Sequence, residues 1–362
     1  MTVTVRSFAK INLGLRIGPT REDGYHELLT VYQTIGLHDV IRVGVGRGNG
    51  IEIRCEDRRV PRDDSNTCFR IVERALAALR VKTRVTIEIE KRLPVQGGLG
   101  GASANAVATL FGLERALRKS LPMVERLRIA AEVGSDLPLF LVGGTVLGVG
   151  RGERVFPLPD LPAMACVVVT PEVGVSTPRA FAEWDRLCGA HDRAAETPDE
   201  RPAEPGSART GEGARSHMDR GDSSVPNRAK LTAADASDRM NELGRGLSAW
   251  LSELHSSAPS SFMRRGGRAG NPLPWLVRAG IENDFEQVVF PEYPELREGK
   301  RALVRADAKY ASLSGSGSTL YGLFASKEAA VLGVNRMRKQ GWSAQATSTL
   351  TRADYWRRVL GG

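Results

Sequence analysis

Arg92–Val107 reads RLPVQGGLGGASANAV, with four glycines among the five residues 97–101 and a helix-forming run directly after them. Glycine loses more backbone freedom on folding than any other residue, so this stretch carries a cost that something must require. Upstream, Val85, Ile87 and Ile89 alternate with Thr86, Glu88 and Glu90, the pattern of a half-buried strand that ends at Pro94. Downstream, the spacing predicts a helix from about Ser103 to Leu117. A strand feeding a glycine loop that opens a helix is an anion-binding arrangement. Successive N–H groups converge there, and the helix adds the positive end of its dipole. Without Cβ atoms, phosphate oxygens can lie against the backbone. A single G-x-G would read as a structural turn, but four glycines at such a junction favour a polyphosphate. No Lys follows them, so a Walker A loop is excluded. A dinucleotide fingerprint would put its third glycine at Ser103, and the H-R-D and D-F-G signatures of protein kinases are absent.

The rest of the chain sets wider bounds. With 362 residues and 41% hydrophobic content, it has room for roughly two or three domains. The net charge of +9 suits an anionic ligand, but Arg is scattered and no run of five basic residues occurs. Cys55, Cys68, Cys166 and Cys188 stand far apart with no C-x-x-C pair, which favours reduced thiols over a disulfide frame or a zinc site. The N-terminus alternates like a strand and lacks the apolar core of a signal peptide. The most apolar stretch, Leu137–Val149, is broken by Pro138, Gly143, Gly144 and Gly148 and is too short to span a bilayer. The expectation is a soluble cytoplasmic protein.

Strands are expected at Val3–Val5, Phe8–Leu15, Ile41–Val45 and Ile51–Cys55, the last two around a glycine-rich turn. Asn66–Arg80 reads as a helix capped by Asn66, and Met123–Val133 as a helix stopped by Gly134. Residues 189–230 hold almost no apolar side chains, and 255–271 are similar, so both are expected to be disordered insertions. A helix is expected between them, from about Ala233 to Leu254. From Tyr310 onward, strand, glycine turn, strand, helix and strand follow in order, which suggests part of a split α+β sandwich.

Taken with its neighbours, the loop LPVQGGLGGASANA resembles the P-x-x-x-G-L-G-x-S-S-A phosphate loop of the GHMP small-molecule kinases. AKINL at Ala9–Leu13 with REDGYHEL at Arg21–Leu28, GSDLPLFLVGG at Gly134–Gly144, IENDFE at Ile281–Glu286 and LSGSGST at Leu313–Thr319 resemble further motifs of one branch, in the same order. The resemblance implies an α+β, two-domain GHMP kinase fold. Its N-terminal domain, residues 1–157, would be like the second domain of ribosomal protein S5, and its C-terminal domain, 158–362, ferredoxin-like. The branch phosphorylates the 2-hydroxyl of a cytidine-diphosphate-linked methylerythritol with ATP and Mg²⁺, in the non-mevalonate route to isoprenoid precursors. By resemblance, Lys10 and Asp136 form the catalytic pair. A carboxylate can take the proton of an attacking alcohol, and an ammonium can stabilise the charge of the transferred phosphoryl group. Judged alone, Asp136 reads as a turn residue and Lys10 as an exposed strand lysine.

The same resemblance assigns ATP to Pro94, Val95, Gln96, Gly97, Gly98, Leu99, Gly100, Gly101, Ala102, Ser103 and Ala104. It assigns the substrate to Asn12, Tyr25, His26, Thr177 and Phe181, with the cytosine between Tyr25 and Phe181 and its edge read at His26. No metal ligand is assigned. Gln96, Ala102 and Ala104 depart from the usual loop, and Ala102 fits only if its φ is negative. A small-molecule substrate is expected, and neither nucleic acid nor membrane. The rivals are a related kinase for mevalonate or homoserine, which needs no cytosine clamp, and a non-catalytic RNA-binding protein, which would show clustered basic and aromatic residues.

Overall fold

The computed structural model describes residues 2–95, 97–189, 233–255 and 281–361. Two long strands, β1 (Thr2–Thr20) and β2 (His26–Gly46), pair antiparallel along most of their length. Their register slips between Phe8 and Lys10, between Asn12 and Gly14, and between Ile17 and Thr20. Such irregularities re-aim side chains, and two of them bracket Lys10 and Asn12. Next come β3 (Gly50–Cys55), α1 (Thr67–Leu79), β4 (Arg84–Glu90), α2 (Gly101–Leu117), α3 (Met123–Val133), α4 (Leu137–Val142), β5 (Thr145–Gly150) and β6 (Arg154–Pro157). The first sheet runs β3-β4-β2-β5-β6, with β1 on β2.

The two strands expected around the glycine-rich turn both form, but they are not partners. β4 lies between them, antiparallel to β2 and parallel to β3. The local signals of α1 are accurate. Asn66 accepts a hydrogen bond from Cys68 N at 2.8 Å, and Cys68, Ile71, Val72 and Ala75 face the core. Together with α2 and α3, this helix covers one face of the sheet, where Val43, Val85 and Ile87 are buried.

The second unit holds β7 (Ala165–Val169), α5 (Thr177–Leu187), α6 (Ala233–His255), α7 (Glu286–Glu292), α8 (Pro294–Arg305), β8 (Tyr310–Leu313), β9 (Leu320–Phe324), α9 (Lys327–Lys339) and β10 (Ala344–Ser348). Its sheet, ordered β10-β7-β9-β8, is antiparallel throughout. An apolar layer joins the units: Ile11, Leu13 and Ile35 of the first pack with Cys166, Val168 and Tyr321 of the second and Leu243 of α6. A last helix, α10 (Arg352–Leu360), returns to the first unit, where Tyr355 and Val359 enter its core. Tyr355 Oη donates to Phe140 O at 2.6 Å and Trp356 Nε1 to Val142 O at 3.1 Å, so both close carbonyls at the end of α4.

The insertions expected at 189–230 and 255–271 lie almost wholly outside the described residues. All four cysteines are free. Burial pushes the Cys68 thiol up to about 12. Among the described residues, no helix is long and apolar enough to cross a membrane.

Candidate active site

The glycine loop leaves β4 and enters α2 as the sequence predicts, with one difference of register: α2 begins at Gly101, and Gly100 is its N-cap with φ +68°. Ala102 therefore lies in the first helical turn, where φ is negative, and is compatible with the loop. Pro94, Val95, Gly97–Ser103, Asn66, Thr67 and Lys91 line a cavity of about 380 Å³. Ala104 is not among its walls. It is buried in the core beneath α2, because the helical turn swings it away from the Ser103 side. Gln96 lies outside the described residues.

The glycines prove to have two different employments. A Cβ on Gly98, at φ +75°, would lie 2.1 Å from Ser314 O and 3.0 Å from Gly317 O. A Cβ on Gly100 would lie 3.0 Å from both Lys10 Cγ and Phe140 Cζ. These two positions are bare because the protein itself packs against them. The Cβ of Gly101, in contrast, would meet nothing closer than Lys91 Nζ at 3.4 Å. The loop interlocks with the turn between β8 and β9: Ser314 Oγ donates to Gly98 O at 2.9 Å, and Thr319 N donates to Gly97 O at 3.2 Å. Asn283 holds that turn from behind, donating to Leu313 O at 2.9 Å and Gly315 O at 2.7 Å. Its neighbour Asp284 is buried and accepts from Ile17 N at 3.0 Å, Arg16 Nη1 at 2.9 Å and the guanidinium of Arg239 in α6. The N-D pair of IENDFE thus splices β1, α6 and the second glycine turn together.

Lys10 is buried, not an exposed strand lysine. Its backbone N donates to Leu99 O at 3.0 Å, which ties β1 to the glycine loop. Its ammonium donates to Asn12 Oδ1 at 2.7 Å and lies 3.5 Å from Asp136 Oδ2. Asn12 in turn donates to Thr30 Oγ1 at 2.8 Å, and Thr30 to Gly14 O at 2.9 Å. This chain of donors fixes the Asn12 amide with its oxygen toward the lysine. A buried ammonium needs such partners, since an unpaired one would be strongly destabilising. Asp136 is the N-cap of α4, and its side chain is a third exposed, so one edge remains open to a ligand.

Tyr25 is 54% exposed, with the Arg151 guanidinium 4.8 Å from its ring centre. Phe181 stacks on His26, ring centres 5.1 Å apart and planes within 5°. That spacing leaves no room for a third ring between those two. His26 Nδ1 contacts Gly18 O at 3.1 Å and Nε2 contacts Asp185 Oδ1 at 3.1 Å, so both ring nitrogens have protein partners. Thr177 Oγ1 lies 2.7 Å from Ser316 Oγ, which ties the start of α5 to the second glycine turn. The sequence reading missed Asp185, Arg151 and Tyr32, whose hydroxyl donates to Asp136 Oδ1 at 3.0 Å. Tyr32 had one available signal: it alternates with Thr30 and Thr34 on a strand directly after DGYH.

A buried ammonium facing a carboxylate, beside a glycine loop at a helix N-terminus, has the parts of a phosphotransferase for an alcohol. The GHMP kinases N terminal domain matches residues 66–144, and the GHMP kinases C terminal domain matches 275–341. The 4-diphosphocytidyl-2-C-methyl-D-erythritol kinase of Solibacter usitatus is 32% identical over 97% of this chain and 95% of its own. The kinase of the same name from Rhodococcus jostii is 42% identical over 51% of this chain and 60% of its own. Among solved structures, a 4-(cytidine 5'-diphospho)-2C-methyl-D-erythritol kinase superposes with TM-score 0.62 at 24% identity, covering 96% of this chain and 99% of the other. A homoserine kinase from Cytophaga hutchinsonii reaches TM-score 0.61 at 17% identity, covering 97% and 95%, so the fold itself does not separate the substrates. The chain belongs to the 4-diphosphocytidyl-2-C-methyl-D-erythritol kinase family of GHMP kinases.

Proposed function

We propose that this protein transfers the terminal phosphoryl group of ATP to the 2-hydroxyl of 4-diphosphocytidyl-2-C-methyl-D-erythritol, a step of the non-mevalonate route to isopentenyl diphosphate. The observation that carries the chemistry is the Lys10–Asp136 pair, 3.5 Å apart, anchored to the glycine loop through Lys10 N. The substrate hydroxyl gives its proton to the Asp136 carboxylate as its oxygen bonds to the terminal phosphorus. The bond from that phosphorus to the bridging oxygen breaks, and ADP leaves with the electron pair. Lys10 holds positive charge where negative charge spreads over the transferred group.

The residues present fit a nucleoside triphosphate. The cavity at the start of α2 offers the first N–H groups of the helix, which have no partner within the helix, and the Ser103 hydroxyl at its wall. Among the described residues, no cluster of three His, Cys, Asp or Glu side chains could hold a metal ion. Mg²⁺ would enter on the phosphates themselves, where it would neutralise charge, with Ser103 as the nearest hydroxyl on the loop.

For the nucleobase, we assign Tyr25 as the stacking platform. Arg151 occupies one face of its ring, which leaves the other for cytosine. Phe181 would reach the base by leaving its stack on His26. A coupled ADP-release assay tests the substrate directly: the cytidine compound should turn over, whereas mevalonate and homoserine should not. Turnover of either of those alone would overturn the assignment. Tyr25→Ala should raise the KM for the cytidine substrate by roughly ten- to a hundredfold, since base stacking is worth about 1–3 kcal/mol. The KM for ATP should stay within about twofold, because the phosphate loop is a separate element.

A further inference from the structure

We propose that Tyr32 is a positioning residue that selects which oxygen of Asp136 acts as the base, and that the β5–β6 turn is shaped around it. This rests on the reading of Asp136 as the base. Tyr32 lies on β2 opposite Asn12 of β1 and Val146 of β5, at the centre of the first sheet. It is 2% exposed. Its hydroxyl donates to Asp136 Oδ1 at 3.0 Å, across 104 residues of sequence. The other oxygen, Oδ2, faces Lys10 Nζ at 3.5 Å. That separation is an ion pair longer than a tight hydrogen bond. So Oδ1 is engaged by a fixed donor that sets the rotation of the carboxylate, while Oδ2 is turned toward the ammonium. With that rotation fixed, Oδ2 is the oxygen placed to take the alcohol's proton next to the charge that steadies the phosphoryl group.

The phenol suits a donor that never becomes a competing base. Burial, and then the nearby Asp136 charge, push it well above the ordinary tyrosine range. The ring also lies 5.5 Å from Lys10 Nζ, so one side chain touches both members of the pair. The charged groups facing this cluster are Lys10 from β1, Asp136 from α4 and Glu153 from the β5–β6 turn.

The ring is seated against two glycines outside the phosphate loop, and Gly152 also has a left-handed φ of +95°. A Cβ on Gly148 would lie 2.5 Å from Tyr32 Cε2, and one on Gly152 would lie 2.4 Å from Tyr32 Oη. Both belong to the stretch GVGRG, Gly148–Gly152, that closes the central motif. The glycines leave a slot that fits a phenol and sets the height of its hydroxyl. Nothing about these contacts concerns the nucleotide.

Tyr32→Phe keeps the ring and removes the donor. Its kcat should fall by roughly ten- to a hundredfold, the range for a misplaced catalytic group. Both KM values should stay within about twofold, since the interaction is spent on the reacting geometry. In the Asp136→Asn background, single-turnover rates should show no further loss from Tyr32→Phe, because the two residues act as one unit. The proposal is overturned if Tyr32→Phe keeps the wild-type kcat while Asp136→Asn is inactive. It is equally overturned if the losses multiply in the double variant, or if Tyr32→Phe raises KM and spares kcat. Full activity in Asp136→Asn would instead remove the base assignment on which it rests.

Discussion

Asp136→Asn is expected to stop turnover while ATP and the cytidine substrate still bind within about tenfold of their normal affinities. The substitution keeps shape and volume, and Tyr32 Oη can still donate to the amide oxygen that replaces Oδ1. What is lost is the acceptor for the alcohol's proton, worth roughly a hundred- to ten-thousandfold in rate. The charge opposite Lys10 is lost as well, although the ammonium keeps its 2.7 Å contact with Asn12 Oδ1. Steady-state kinetics with calorimetric titration of both ligands separates these effects. A variant with most of the normal kcat would show that the proton leaves by another route. Lys10→Ala should be comparably inactive, but with some loss of fold stability, because the side chain also packs against Gly100.

Gly98→Ala is expected to be the most destabilising single substitution in the loop. The residue has φ +75°, and the added methyl would lie 2.1 Å from a backbone carbonyl that cannot swing aside. Positive φ on a residue with a Cβ costs about 1–3 kcal/mol. Prising the loop from the second glycine turn adds to that, for a total of roughly 3–5 kcal/mol. Thermal melting should show a drop of many degrees, or no soluble protein. Gly101→Ala is the control. Its nearest contact is the end of a lysine side chain at 3.4 Å, so the fold should tolerate it, and any effect should appear in the KM for ATP. Equal melting temperatures for Gly98→Ala and the native chain would mean that the interlock contributes little.

That contrast also shows where the sequence could and could not be read. Four bare positions before a helix suggested a single cause for all four, whereas Gly98 and Gly100 are bare because the protein packs against them. The alternation of Val85, Ile87 and Ile89 marked β4, and Asn66 marked the start of α1, because each signal is carried by neighbours in the chain. Which strand lies beside β4 is settled by partners dozens of residues away, and alternation records only the face a side chain takes. The burial of Lys10 was hidden for the same reason: the loop, the second glycine turn and Asp136 arrive from three distant segments. By burial Tyr32 is a core residue. Only the carboxylate that arrives from α4 gives its hydroxyl a task. Phe181 was placed near the base by motif alone, and the stack it forms with His26 depends on how α5 docks.

The return of α10 has a consequence for the newborn chain. α4 is a six-residue helix, and its last carbonyls are closed by Tyr355 and Trp356. The Tyr355 hydroxyl bonds to a carbonyl 215 positions upstream, and its ring fills the space where a Cβ on Gly143 would be. A ribosome therefore delivers Asp136 long before it delivers the side chains that finish the helix carrying it. Domains made first usually fold first, but here the first one stays incompletely bolted until α10 emerges. Premature termination between Thr319 and Arg352 would leave a protein with every residue named at the site and no firm mount for the base.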